Sequence, residues 1–321
     1  MNIRLPIFFT WLGLAALADW LIARTLARAT IFIPKSAAMI QIYSAMGVVA
    51  QLATSLTSLL VIMALGWIVW QNFRQPRKWI LAVTCTALLL VSLLGLFLPT
   101  AGWLALFFHL LLSIAILVLI RDVWMRPLSI AYKIAVSCVA LTLVVTSLYQ
   151  GLDPVATVLG LSRLPESGGL LFNAGELLVL ISIVALWASS ARQTGWFIWL
   201  IAALPALAFA VPRLLAPAMT GIMTIWSTGL TLYLPWPAYV VAIWLAGVTV
   251  LYTLRRGDAT GWAVILLAAG GFAPQLSIQA FLGLIALWLL VNTAGPQAQG
   301  NQVDAAVRSN SPSQVALPDA S

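Results

Sequence analysis

Charge is what this chain has least of. Sixteen Lys and Arg and eight Asp and Glu are all that its 321 residues carry, while 63% of them are hydrophobic. A water-soluble domain carries about 25% charged residues. No water-soluble fold of this size covers its surface with the 7% found here. Solvation by lipid fits that composition, and so does the mean hydropathy of +1.05.

Histidine is nearly absent. His109 stands alone, which excludes a bis-histidine haem and a His-rich metal site. The two cysteines, Cys85 and Cys138, lie inside apolar runs and form no C-x-x-C. They read as buried thiols acting as small hydrophobes. The chain also lacks H-E-x-x-H, G-x-x-x-x-G-K-[ST] and G-x-S-x-G, the patterns of zinc hydrolysis, nucleotide phosphate binding and serine nucleophiles. Asp pairs able to hold Mg²⁺ are missing from the basic loops, and the last spans contain no lysine for a retinal Schiff base. No cofactor and no metal are therefore expected, and the balance leans against an enzyme. The net charge of +8 does not point to nucleic acid. Its basic residues close apolar runs rather than forming a patch interleaved with aromatics, and membrane orientation accounts for them.

What is present is a series of long apolar runs. A span needs about 20 apolar residues. Such runs occur near 5–28, 45–72, 79–98, 102–120, 128–149, 170–191, 196–215 and 236–254, with a last segment at 259–292. The expected fold is an all-α integral membrane protein, a polytopic transmembrane helix bundle of about nine spans, or ten if the last segment crosses twice. Residues 1–292 form the transmembrane domain. The tail 293–321 is rich in Gln, Asn, Ser, Ala and Pro and cannot bury enough apolar surface to order itself.

Alternating spans put Arg4, Arg74, Arg77, Lys78, Arg121, Arg126, Arg192, Arg255 and Arg256 on one side, and Arg24, Arg28, Lys35, Arg163 and Arg213 on the other. The richer side is the cytoplasmic one by the positive-inside rule. The expected home is the cell (inner) membrane, with the N-terminus in the cytoplasm if the first span is uncleaved. Ala16-Leu17-Ala18 before Asp19 also resembles a signal-peptide cleavage site, but apolar character resumes at Trp20.

Three segments are unusual. The run Ala37–Phe73 would reach about 55 Å as one helix, so its outer part projects or kinks. On it Gln41, Ser44, Val48, Gln51, Ser55 and Ser58 make one stripe at helical spacing, read first as a packing seam between helices and second as a water-lined face. Residues 150–169 and Pro217–Pro237 are expected to lie on the outer side, the latter flat in the interface or dipping in. In the last segment, Gly270-Gly271-Phe272-Ala273-Pro274 interrupts the helix. One bent span, favoured because its first half is too short to cross alone, leaves the tail outside.

Ionisable residues inside spans are costly and so are candidate functional groups. At about 1.5 Å per residue, His109 lies roughly 18 Å from the basic side, Asp19 roughly 21 Å and Glu176 roughly 24 Å. Asn173, Arg24 and Arg213 fall near 27–28 Å on the same scale. The candidate intramembrane polar site is thus Asp19, His109, Asn173, Glu176 and Arg213. It serves permease- or channel-like transport of a small solute, ion or lipid, or it holds helices in register. Glu176 near the start of its span also suits the helix dipole. Two further readings stand beside transport: a non-catalytic membrane subunit of a larger complex, and a membrane enzyme acting on a lipid-linked substrate. The expected partners are the lipid bilayer and protein subunits.

Overall fold

A backbone in lipid has no water to bond, so each apolar stretch must satisfy its own N–H and C=O groups, and the helix does so locally. The computed structural model describes residues 5–32, 37–75, 78–98, 102–158, 165–191, 194–215, 235–272 and 276–293, with some side chains inside these ranges left out. Those residues form ten α-helices and no strand. In chain order they are α1 (Leu5–Phe32), α2 (Ala37–Phe73), α3 (Trp79–Phe97), α4 (Gly102–Trp124), α5 (Ile130–Val158), α6 (Pro165–Ser190), α7 (Trp196–Leu215), α8 (Trp236–Arg255), α9 (Thr260–Phe272) and α10 (Leu276–Thr293). Four stretches, Ile40–Phe73, Trp103–Trp124, Ile130–Leu152 and Trp236–Arg255, are long and apolar enough to cross a membrane, and six shorter apolar helices accompany them.

Neighbours in sequence pack as neighbours in space. The pairings run α1 to α2, α3, α4, α5 and α6, then to α8, α9 and back to α1, with α7 on the flank of α8. This ring has a filled centre. α10 touches α2, α4, α5 and α9, and its run Ile285–Val291 is buried on every side. A helix that is apolar all round belongs in a core, and α10 is that core here. A small second cluster, Ala191, Ile198, Ala202 and Val248, joins α7 and α8 to the end of α6.

Five of the basic residues share one end of the bundle. Arg74 follows α2, Lys78 precedes α3, Arg121 and Arg126 close α4, and Arg255 closes α8. α1 starts at this end too, since its Phe9 ring lies 6.3 Å from that of Trp288 near the end of α10. Between α8 and α9 the chain turns sharply at Arg255-Arg256-Gly257-Asp258. Gly257 has φ +70°, the left-handed conformation that suits glycine after a helix. The Gly257 N–H donates to Leu254 O at 3.0 Å and the Asp258 N–H to Thr253 O at 2.9 Å, which is the Schellman pattern. The Asp258 carboxylate then accepts from the Thr260 N–H and Oγ1, both at 3.0 Å, at the start of α9.

The last segment differs from the single bent span expected. Gly270 lies against Gln279, Leu282 and Gly283, while the far ends also meet: Tyr132 donates to Leu290 O at 2.8 Å and has Asp258 and Thr260 close by. α9 and α10 are therefore an antiparallel hairpin whose open ends both lie at the basic end. The chain has reversed between Phe272 and Leu276, and the apolar faces of the two halves pack on each other rather than continuing in line.

Two helices outrun their expected limits. α2 is one unbroken helix of 37 residues. α5 continues to Val158 and α6 begins at Pro165, so most of the loop expected over 150–169 is helical. A helix that satisfies its own backbone does not have to stop where lipid stops. Residues 216–234 and the tail from 294 lie outside the described residues.

Candidate functional site

The polar groups of the interior are met one helix seam at a time. Asp19 on α1 is 2% exposed and accepts a hydrogen bond from Thr54 Oγ1 of α2 at 2.7 Å. The same seam holds Thr57 Oγ1 donating to Ala15 O at 3.2 Å. Ser58 Oγ donates back to Thr54 O at 2.7 Å. Beside this pair Gln51, Thr54, Ser55, Ser58, Leu59, Ile62 and Met63 line an open recess of about 540 Å³. Among the described residues Thr54 is the donor to this buried carboxylate, which leans heavily on that bond. Thr54→Val keeps the shape and removes the donor, so it is expected to cost about 1.5–3 kcal/mol, as for other bonds to charged groups. Thr54→Ser should stay close to the parent. Thermal melting in mild detergent compares the three, and equal midpoints would show that the bond does not hold the seam.

His109 on α4 and Ser147 on α5 are 5% and 3% exposed. Their Nδ1 and Oγ lie 2.8 Å apart, and Ser113 Oγ donates to His109 O at 2.8 Å. Gly151 follows Ser147 by one turn and presses on the same ring: a Cβ there would lie 2.9 Å from His109 Cβ. A hydroxyl bonded to an imidazole has the outline of a nucleophile and its base. Burial of both among packed helices gives it the setting of an interhelical tie instead.

Glu176 on α6 accepts a hydrogen bond from the Tyr239 hydroxyl of α8, and the Phe209 ring of α7 lies 6.4 Å from the Tyr239 ring. Tyr239 thus meets α6 through the Glu176 carboxylate and α7 through the Phe209 ring. α6 starts at Pro165, so Glu176 is about three turns inside it. A dipole effect confined to the first turn does not reach it, which corrects the expectation that its place near the start of the span suits the dipole. Asn173 and Arg213 lie on α6 and α7, and Arg24 on α1, but their side chains are outside the described residues.

The hydrogen bonds of Asp19, His109 and Glu176 described above thus go to three different neighbours, at the α1–α2, α4–α5 and α6–α8 seams. The partners Thr54, Ser147 and Tyr239 escaped sequence reasoning. Hydroxyls are common and uncharged, so a search for ionisable groups passes over them. Helical spacing carried part of the signal, since Thr54 lies one turn from Ser58 in the polar run of α2.

A further network was also missed. At the basic end, Lys78 Nζ and Arg126 Nη2 both donate to Asn292 Oδ1, at 2.9 and 3.2 Å. Arg126 Nη1 donates to Val291 O. Arg126 and Tyr132 satisfy the Val291 and Leu290 carbonyls at the end of α10, which have no partner within the helix, and both cations suit the negative end of its dipole. Burial holds the Lys78 ammonium below the ordinary lysine range, Arg126 adds to that, and Asp122 opposes it. Lys133 lies toward the same end, its Nζ 3.3 Å from Trp124 O. The residues involved sit more than 150 positions apart, so no local pattern announces the network.

The stripe expected as a packing seam inside the bundle faces outward. Gln41, Ser44, Val48, Gln51 and Ser55 are exposed, because α2 turns the face bearing Thr57, Val61, Ala64, Leu65 and Ile68 to the core instead. Cys85 and Cys138 are buried and free. Among the described residues, no group of three or more His, Cys, Asp or Glu could hold a metal ion. These observations define an all-helical bundle of the membrane-protein class, with a packed centre and polar ties at its seams. Neither a protein-family model nor a curated protein nor a solved structure matches the chain.

Proposed function

We propose that this protein is a membrane-embedded assembly subunit, and that the projecting part of α1 and α2 is its docking arm. The carrying observation is the outer half of α2. About 20 residues from Phe73 cross the hydrocarbon, which leaves roughly the first 17 residues of α2 beyond it, about 25 Å of helix. That part exposes Ile40, Ile42, Val48, Val49 and Leu52. Apolar side chains grouped outside lipid mark a surface that another protein covers. The filled centre of the ring supports the same reading, since α10 occupies the place a central pathway would need. Positive-inside orientation puts the basic end, the N-terminus and the tail after Thr293 in the cytoplasm of the inner membrane, and the arm on the opposite side. Native mass spectrometry of protein extracted from its own membranes in mild detergent or nanodiscs tests this. An assembly heavier than the 34.5 kDa chain is expected, and a monomer as the sole species would end the proposal.

The recess beside Asp19 and Thr54 favours a second reading, transport of a small solute, ion or lipid along the face of α2. In that reading Asp19 is the group a cation or proton meets. Flux in proteoliposomes that Asp19→Asn abolishes would favour it over assembly.

A further inference from the structure

At the basic end two cations share one neutral atom. Lys78, just ahead of α3, and Arg126, just after α4, both donate to Asn292 Oδ1 of α10, at 2.9 and 3.2 Å. Arg126 also donates to Val291 O. An amide and a carbonyl oxygen satisfy these donors but carry no net charge to set against the two cations. Among the described residues neither cation closes an ion pair, and Asp122 acts on Lys78 only from a distance. The mismatch shows at Lys78, where the charge of Arg126 adds to burial in holding the ammonium below the ordinary lysine range.

An ammonium has three N–H donors and a guanidinium five, and more than half of them remain after the bonds to Asn292 and Val291. Both side chains are partly exposed, so the site is open to a ligand from outside. Its rim says at what level it lies. Trp79 beside Lys78 is 57% exposed, and Trp124, close to Arg126, is 54% exposed. Exposed tryptophans mark the boundary between hydrocarbon and water, which is the level of lipid phosphates. The planar fork of an arginine and the compact charge of a lysine both suit phosphate oxygens.

We propose that Lys78 and Arg126 bind a phosphate group, of a lipid headgroup or of free phosphate, where α3, α4 and α10 meet. The proposal rests on neither functional reading above. A phosphate there supplies the missing negative charge. Through Asn292 and Val291 it also steadies the end of α10, so packing at the centre of the bundle answers to an anion at its edge.

Thermal melting of delipidated protein in mild detergent tests this, with phosphatidylglycerol, phosphatidylcholine or inorganic phosphate added at matched ionic strength. A rise of several degrees with phosphatidylglycerol alone assigns the phosphate to a lipid. A rise with inorganic phosphate as well assigns the site to the phosphate group by itself. Asn292→Asp places a carboxylate between the two cations, with loss of the Nδ2 bond to Trp288 O at 2.9 Å, and should lose most of the response. Arg126→Gln should lose it too, each shift being read against the variant's own melting point. The proposal is overturned by no rise in the parent, by an equal rise with phosphatidylcholine, or by a rise that persists undiminished in both variants.

Discussion

Trp288→Ala should be the most damaging single truncation in the molecule. Trp288 is 2% exposed at the heart of α10, and the Phe9 ring of α1 packs against it. Removing a buried indole from a protein core costs about 3–5 kcal/mol through lost contacts and the cavity left behind. Lipid is as apolar as the cavity wall, so the transfer part of that cost shrinks in a membrane bundle. The lower end, about 3 kcal/mol, is the expected figure. Trp288→Phe should behave very differently. The indole N–H has no hydrogen-bond partner among the described residues, and replacing an unsatisfied buried donor by an apolar ring is close to neutral. Thermal melting in mild detergent separates the two. Equal midpoints for Ala and Phe would mean that α10 is not the packed centre.

Gly151→Val comes next. Its Cβ would sit 2.9 Å from His109 Cβ and 3.3 Å from His109 Cγ. Those atoms are at the root of the side chain, so no rotamer change clears them, and α4 and α5 must move apart. Overpacking of this kind costs about 1–3 kcal/mol. The 2.8 Å contact between His109 and Ser147 should break with it, adding about 1 kcal/mol. Ser147→Ala removes the contact alone and should be milder. If Gly151→Val melts no lower than Ser147→Ala, the close approach of the two helices is not a source of stability.

Much of this architecture was legible in the amino acids. A backbone in lipid has one economical solution, so apolar runs near 79–98, 102–120 and 196–215 became α3, α4 and α7 with modest shifts at their ends. The break at Gly270–Pro274 was legible as a break. Its geometry was not, because the reversal depends on α9 packing along α10, with Tyr132 and Arg126 meeting the far end of the hairpin. Hydropathy also marks where lipid can be, and not where a helix stops. Hence α5 runs past the end expected near 149, and the polar stripe of α2, read first as a packing seam between helices and second as a water-lined face, faces out. For the candidate site, the costly residues could be found and set at similar depth. Which seam each occupies is a matter of rotation about the helix axis, and Asp19, His109 and Glu176 found hydroxyl partners on three different neighbours.

The position of α10 in the chain has a consequence for how the molecule is made. Ribosomes deliver helices in order, and α10 follows the other nine. The ring of α1 to α6, α8 and α9 is therefore synthesised around a centre that does not yet exist. Its inward faces must wait in lipid, or on a chaperone, until the hairpin partner of α9 arrives. Arg126, Lys78 and Tyr132, already in place at the basic end, then receive the finished carbonyl end of α10. The helix that fills the centre is thus the last of the described helices to be made, and a chain cut short before Leu276 lacks it.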